Sequence, residues 1–100
     1  MRYMIIEQFH NGDPLPVYRR FRDQGRLAPD GLHYVDSWVT HDLATCYQVM
    51  ECEDRALLDA WIANWRDLVE FEVIPVHTSA AVRAMVAPRL PLGMRPPVMV

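Results

Sequence analysis

Residues 45–76 read TCYQVMECEDRALLDAWIANWRDLVEFEVIPV. Leu57, Leu58, Trp61, Ile62, Trp65 and Leu68 recur every three or four residues, which is the spacing of a helix with one buried stripe. Asp54 stands where a carboxylate can cap the first free amides of that helix. The flanking runs, Thr45 to Cys52 and Val69 to Val76, are rich in β-branched and aromatic residues and alternate in polarity, so both read as strands. The stretch therefore predicts strand, helix, strand.

The same order appears upstream. Residues 2–9, RYMIIEQF, predict a first strand. Asp13 and Pro14 suit a helix start, Val17, Tyr18 and Phe21 mark its apolar stripe, and Gly25 is placed to end it. Pro29-Asp30-Gly31 predicts a turn. A second strand then runs from about Leu32 to Thr40, and residues 41–44 connect it to the third. The full order is βαββαβ, so the expected fold is an α+β ferredoxin-like sandwich: a four-stranded antiparallel sheet with two helices on one face. Residues 79–86 predict a short further helix capped by Ser79. The expected domain spans residues 1–82, with a Pro-rich tail over 83–100, either loose or lying on a neighbour as an arm.

Composition narrows the function classes. One hundred residues, 51% of them hydrophobic, make one globular domain. The net charge of −3 argues against a general nucleic-acid binder. The charge is uneven: +2 over residues 1–26, −8 over 27–72 and +3 over 73–100. Oppositely charged parts are expected to face each other within or between subunits. All ten basic residues are Arg, which excludes a Schiff-base lysine and a phosphate-loop lysine. Cys46 and Cys52 lie roughly 20 Å apart if the strand is extended, beyond disulfide reach, and read as free thiols in a reducing compartment. With no signal segment and no long apolar run, the expected location is cytoplasmic, with no membrane partner.

Strand alternation divides the sheet into two sets. Met4, Ile6, Val35, Val39, Val49, Phe71 and Val73 are almost purely apolar and are expected to meet the helices. Tyr3, Ile5, Glu7, Phe9, Tyr34, Asp36, Trp38, Cys46, Gln48, Met50, Glu72, Ile74 and Val76 form the second set, expected to be the bare face. A bare aromatic face is costly in a monomer, so a homodimer with two sheets face to face is expected, the dimeric α/β-barrel arrangement.

Residues 1–39, 46–76 and the following HTSAA together resemble the uncharacterised bacterial family catalogued as domain of unknown function 3303. The characteristic strings are Tyr3-Met4-Ile5-Ile6-Glu7, Tyr34-Val35-Asp36-Ser37-Trp38 and Gln48-Val49-Met50-Glu51. The resemblance covers about residues 1–82 and implies a small, dimeric ferredoxin-like domain with no assigned activity. More loosely, the architecture is similar to cofactor-independent quinol monooxygenases, muconolactone isomerase-like proteins and stress-responsive barrel proteins, an analogy of fold alone.

Candidate site residues follow from chemistry. Glu7, a carboxylate inside an apolar strand, is a candidate acid or base, as is His10 at the end of the same strand; a paired carboxylate and an exposed histidine are the plainer readings. Tyr34, Trp38, Gln48 and Met50 are candidates for a ligand pocket, and interface packing explains them as well. Arg19, Arg22 and Arg26, spaced at i, i+3 and i+7, read first as a solvated helix face and second as an anion clamp. His33, His41 and His77 show no ligand spacing, and neither a metal nor a cofactor is implied. Three functions remain open: a small-molecule binding module, a cofactor-independent monooxygenase or isomerase acting on a small aromatic or carbonyl compound, and an interaction domain using its C-terminal arm.

Overall fold

The computed structural model describes residues 1–91. Strands β1 (Arg2–Phe9), β2 (His33–Val39), β3 (Thr45–Glu51) and β4 (Val69–Val76) form one antiparallel sheet in the order β2-β3-β1-β4. Helix α1 (Leu15–Gln24) follows β1 and α2 (Arg55–Ala63) follows β3. The order is βαββαβ and the class is α+β, as the segment pattern predicts. A third helix, α3 (Ser79–Val86), follows β4 and buries none of its side chains. The predicted tail lies outside the described residues from residue 92 onward.

Local chemistry sets the boundaries. Asp13 Oδ1 accepts from Leu15 N (3.0 Å), and Asp54 Oδ1 accepts from Ala56 N (2.9 Å), so each carboxylate satisfies an amide that the helix cannot. Gly25 ends α1 at φ 72° and donates to Phe21 O (2.8 Å). Thr78, rather than the expected Ser79, caps α3 through its hydroxyl (Ala81 N, 3.1 Å). Leu58, Trp61 and Ile62 form the buried stripe of α2; the helix ends at Ala63, short of the expected Leu68, and Trp65 is buried from the turn that follows.

The register corrects the expected face assignment. Residues paired across the sheet share a face, giving three rows under the helices: Val39–Cys46–Glu7–Phe71, Ser37–Gln48–Ile5–Val73 and Tyr34–Met50–Tyr3–Pro75. The open face carries Trp38–Tyr47–Ile6–Glu72 and Asp36–Val49–Met4–Ile74. Tyr3, Ile5, Glu7, Phe9, Cys46, Gln48 and Met50, expected on the bare face, are therefore buried beneath the helices. Met4, Ile6 and Val49, expected inside, are on the open side. Phe71, Val73 and Val39 do face the helices. The reason is apolar area: Tyr3, Ile5 and Met50 pack with Leu58, Trp61 and Ile62 of α2, Phe9 forms a second cluster with Cys46 and Val69, and that gain outweighs two polar side chains in the same rows.

A second correction comes from β2. The pairing slips between Tyr34 and Asp36, which leaves Val35 as a bulge. Simple alternation puts Tyr34 and Trp38 on one face. The bulge sends Tyr34 to the helix side and Trp38 to the open side.

Gly31 closes the turn before β2 at φ 92°, and a Cβ there would lie 3.0 Å from Leu57 Cδ1. Gly31→Ala is expected to lower unfolding free energy by about 1–3 kcal/mol in a urea titration, because strain and crowding act together.

Candidate functional site

The covering of the sheet is uneven. α2 seals the rows over β1 and β4. α1 buries no side chain and leaves Leu15, Tyr18 and Phe21 substantially exposed. A cleft of about 130 Å³ remains between α1 and the sheet. Its floor is Glu7 and Phe9 of β1, Cys46 and Gln48 of β3, and Ser37 of β2. Its walls are Val17, Tyr18 and Phe21 of α1, Trp61 of α2, Trp65 just beyond it, and Arg26.

Glu7 is the chemical centre. It is 7% exposed, and among the described residues its buried Oε2 has no hydrogen-bond partner. Burial pushes its pKa up to about 7; the facing Cys46 thiol and the Arg26 charge pull the other way. Cys46 is itself pushed up to about 12, first by burial and then by Glu7, so it is a thiol and not a thiolate nucleophile. Tyr18, on the opposite wall, is also raised, by burial first and then by Cys46 and Glu7.

Arg26 stands just beyond Gly25, which takes it off the helical face shared by Arg19 and Arg22. Its guanidinium lies 3.8 Å from the Tyr34 ring centroid and 5.3 Å from that of Phe21. Nη1 donates to Gln48 Oε1 (3.0 Å), and Gln48 Nε2 turns to the sulfur of Met50 (3.3 Å). Among the described residues the rest of the guanidinium fork has no protein acceptor. Its backbone is pinned from α2: Trp61 Nε1 and Trp65 Nε1 both donate to Arg26 O, at 3.1 and 2.8 Å.

Of the six candidate residues, Glu7 and Gln48 meet on the cleft floor, and Tyr34 joins them through Arg26. Met50 is fully buried one row deeper. Trp38 is 56% exposed on the other face of the sheet. His10 sits on the 3₁₀ turn after β1, beside a separate surface hollow with Gln8 and Glu70. The cleft residues Tyr18, Phe21, Cys46, Trp61 and Trp65 were not singled out as a site from sequence, and Arg26 was weighed only as the second reading of a shared arginine face with Arg19 and Arg22. One signal was available: a glycine that ends α1 already forbids Arg26 from continuing its face.

The family model for a domain of unknown function, DUF3303, matches residues 1–90. The chain belongs to this family. The match to DUF3303 runs past residue 82 and through α3. No curated protein and no solved structure is significantly similar to the chain. DUF3303 carries no assigned activity, so the cleft is the ground for any reading of function in this member. Among its described residues no group of three or more His, Cys, Asp or Glu is placed to hold a metal ion, and no helix is long and apolar enough to cross a membrane.

Glu7 gives this DUF3303 domain a testable pH dependence. The folded chain keeps the Glu7 proton to about pH 7, the unfolded chain only to about 4.5. Between these values the folded state binds more protons, so stability falls as pH rises and levels off above the folded value. The full loss is about 3 kcal/mol. Glu7→Gln cannot ionise, so urea titrations are expected to show near equality with wild type below about pH 4.5 and a more stable variant at about pH 8. A variant profile that keeps the wild-type slope would remove Glu7 as its source.

Proposed function

We propose that the protein binds a small organic molecule in the cleft between α1 and the sheet. The observation that carries this reading is Glu7, a residue lining the cleft whose buried Oε2 has no hydrogen-bond partner among the described residues. A buried polar group left unpaired costs roughly 1–3 kcal/mol, and a polar group of a ligand would remove that cost. The aromatic walls and the pinned Arg26 supply the rest of a binding site: apolar area with a few fixed polar groups. Native mass spectrometry of freshly purified protein is expected to show a non-covalent small-molecule mass that Glu7→Leu, which has no polar group to offer, binds less well. A bare chain whose melting temperature no ring-sized compound raises would overturn the reading.

A second reading uses the same side chain. With its pKa near 7, Glu7 is populated as both acid and base at neutral pH, which suits cofactor-independent proton transfer on a small aromatic or carbonyl compound. His10 has no part in it, being outside the cleft.

We also infer a homodimer through the open face. Trp38, Tyr47 and Ile74 are 56%, 39% and 39% exposed there, with Met4, Ile6 and Val49 between them. Asp36, Glu70 and Glu72 make that side acidic, whereas Arg83 and Arg89, on and just after α3, are basic. A second copy of this chain brings both the matching apolar face and the opposite charge. Light scattering is expected to give twice the chain mass for wild type and a monomer for Trp38→Asp. A monomeric wild type at micromolar concentration would end this inference.

A further inference from the structure

We propose that the cleft takes a small aromatic monocarboxylate, its carboxylate held between Arg26 and the unpartnered oxygen of Glu7 and its ring against the aromatic walls. This deepens the small-molecule reading above and rests on it. Three observations converge. The cleft measures about 130 Å³, and an engineered apolar cavity of roughly 150 Å³ in another protein holds benzene. Phe21, Trp61 and Trp65 offer that ring flat and edge surfaces. At the polar end, Arg26 presents a planar fork with donors to spare, held in orientation by Tyr34, by Gln48 and by the two indoles on its carbonyl.

Charge selects among ligands. With Glu7 neutral the site carries one positive charge, that of Arg26, which matches one carboxylate. The Glu7 O–H then donates to the ligand, as the Arg26 N–H groups do. An ammonium ligand would meet the guanidinium at close range. An unsubstituted ring would leave Oε2 unpaired. When Glu7 ionises, two carboxylates face each other and binding weakens, so a ligand that stays anionic is bound with uptake of one proton at Glu7. The groups facing Glu7 are Cys46 of β3, Arg26 and Tyr18 of α1; Trp61 and Trp65 from the α2 side and Phe71 of β4 carry no charge. Cys46, pushed up to about 12, does not titrate in the same range.

The test is calorimetric titration of the full chain with benzoate, benzamide and benzylamine, with the indole N–H signals of Trp61 and Trp65 as reporters of cleft occupancy. Benzoate is expected to bind and shift both signals, and benzylamine not to. Benzoate affinity is expected to fall roughly tenfold from about pH 6 to about pH 8, with uptake of about one proton seen in buffers of different ionisation enthalpy. Glu7→Gln is expected to bind benzoate without that slope, and Arg26→Gln to bind it at least about tenfold more weakly. Benzylamine binding as well as benzoate, or benzoate binding without the slope and the proton uptake, overturns the carboxylate assignment. Benzamide alone shifting the indoles also overturns it and leaves the small-molecule reading standing. Failure of all three probes, with no bound mass on the purified protein, ends both.

Discussion

Two indole N–H groups converge on one backbone carbonyl, and the shape of the half of the molecule that holds the cleft depends on them. Trp61 and Trp65 both donate to Arg26 O, and Asn64 Nδ2 donates to Leu27 O (3.2 Å). The loop they hold is an awkward one, with positive φ at Gly25 and at Leu27. A leucine at φ 60° costs on the order of 1 kcal/mol and persists only where its surroundings fix it. Arg20 adds a bidentate pair with Asp67 (2.7 and 2.8 Å) and donates to Asn64 O, and so ties α1 to the turn after α2. α1 is thus anchored by polar bonds to the α2 side and not by a buried stripe of its own on the sheet. The gap left beneath it is the cleft.

The same constraint aims Arg26. With its carbonyl fixed, the side chain turns back between Phe21 and Tyr34 and reaches Gln48. The result is a guanidinium whose position is set by the protein itself, beside a carboxyl left without a full set of hydrogen bonds. Burial of an unpaired carboxyl weakens a domain of this size, whose total stability is only about 5–15 kcal/mol. Such a local cost within an otherwise consistent fold is a mark of a site.

Most of the fold was legible because each element carries its own signal. The 3–4 spacing of Leu57 to Trp65, the carboxylates at Asp13 and Asp54, and Gly25 act through neighbours in sequence, so they read correctly without tertiary information. The sheet faces did not. Alternation gives two sets of residues per strand but not which set a helix will cover, and the polar Glu7 and Gln48 made the buried set look like the exposed one. The bulge at Val35 was invisible as well, since one extra residue changes a face without changing composition. Glu7 and Gln48 were found as candidates because a polar group in an apolar strand is conspicuous anywhere. Trp61 and Trp65 were not, and Arg26 was read only within a face shared with Arg19 and Arg22, because tryptophans on an apolar stripe and arginines near a helix end have ordinary explanations until their distances are known.

The sequence alone therefore determined the order of strands and helices, the capping carboxylates of α1 and α2, the free thiols and the DUF3303 resemblance, all of which rest on local patterns. Tertiary structure decided which face lies under the helices, that Tyr34 and Trp38 part company, that α1 stands off the sheet, and that Glu7 shares a cleft with Arg26. Those depend on contacts between residues far apart in the chain, where pairing register and the available packing volume, not propensity, choose the outcome.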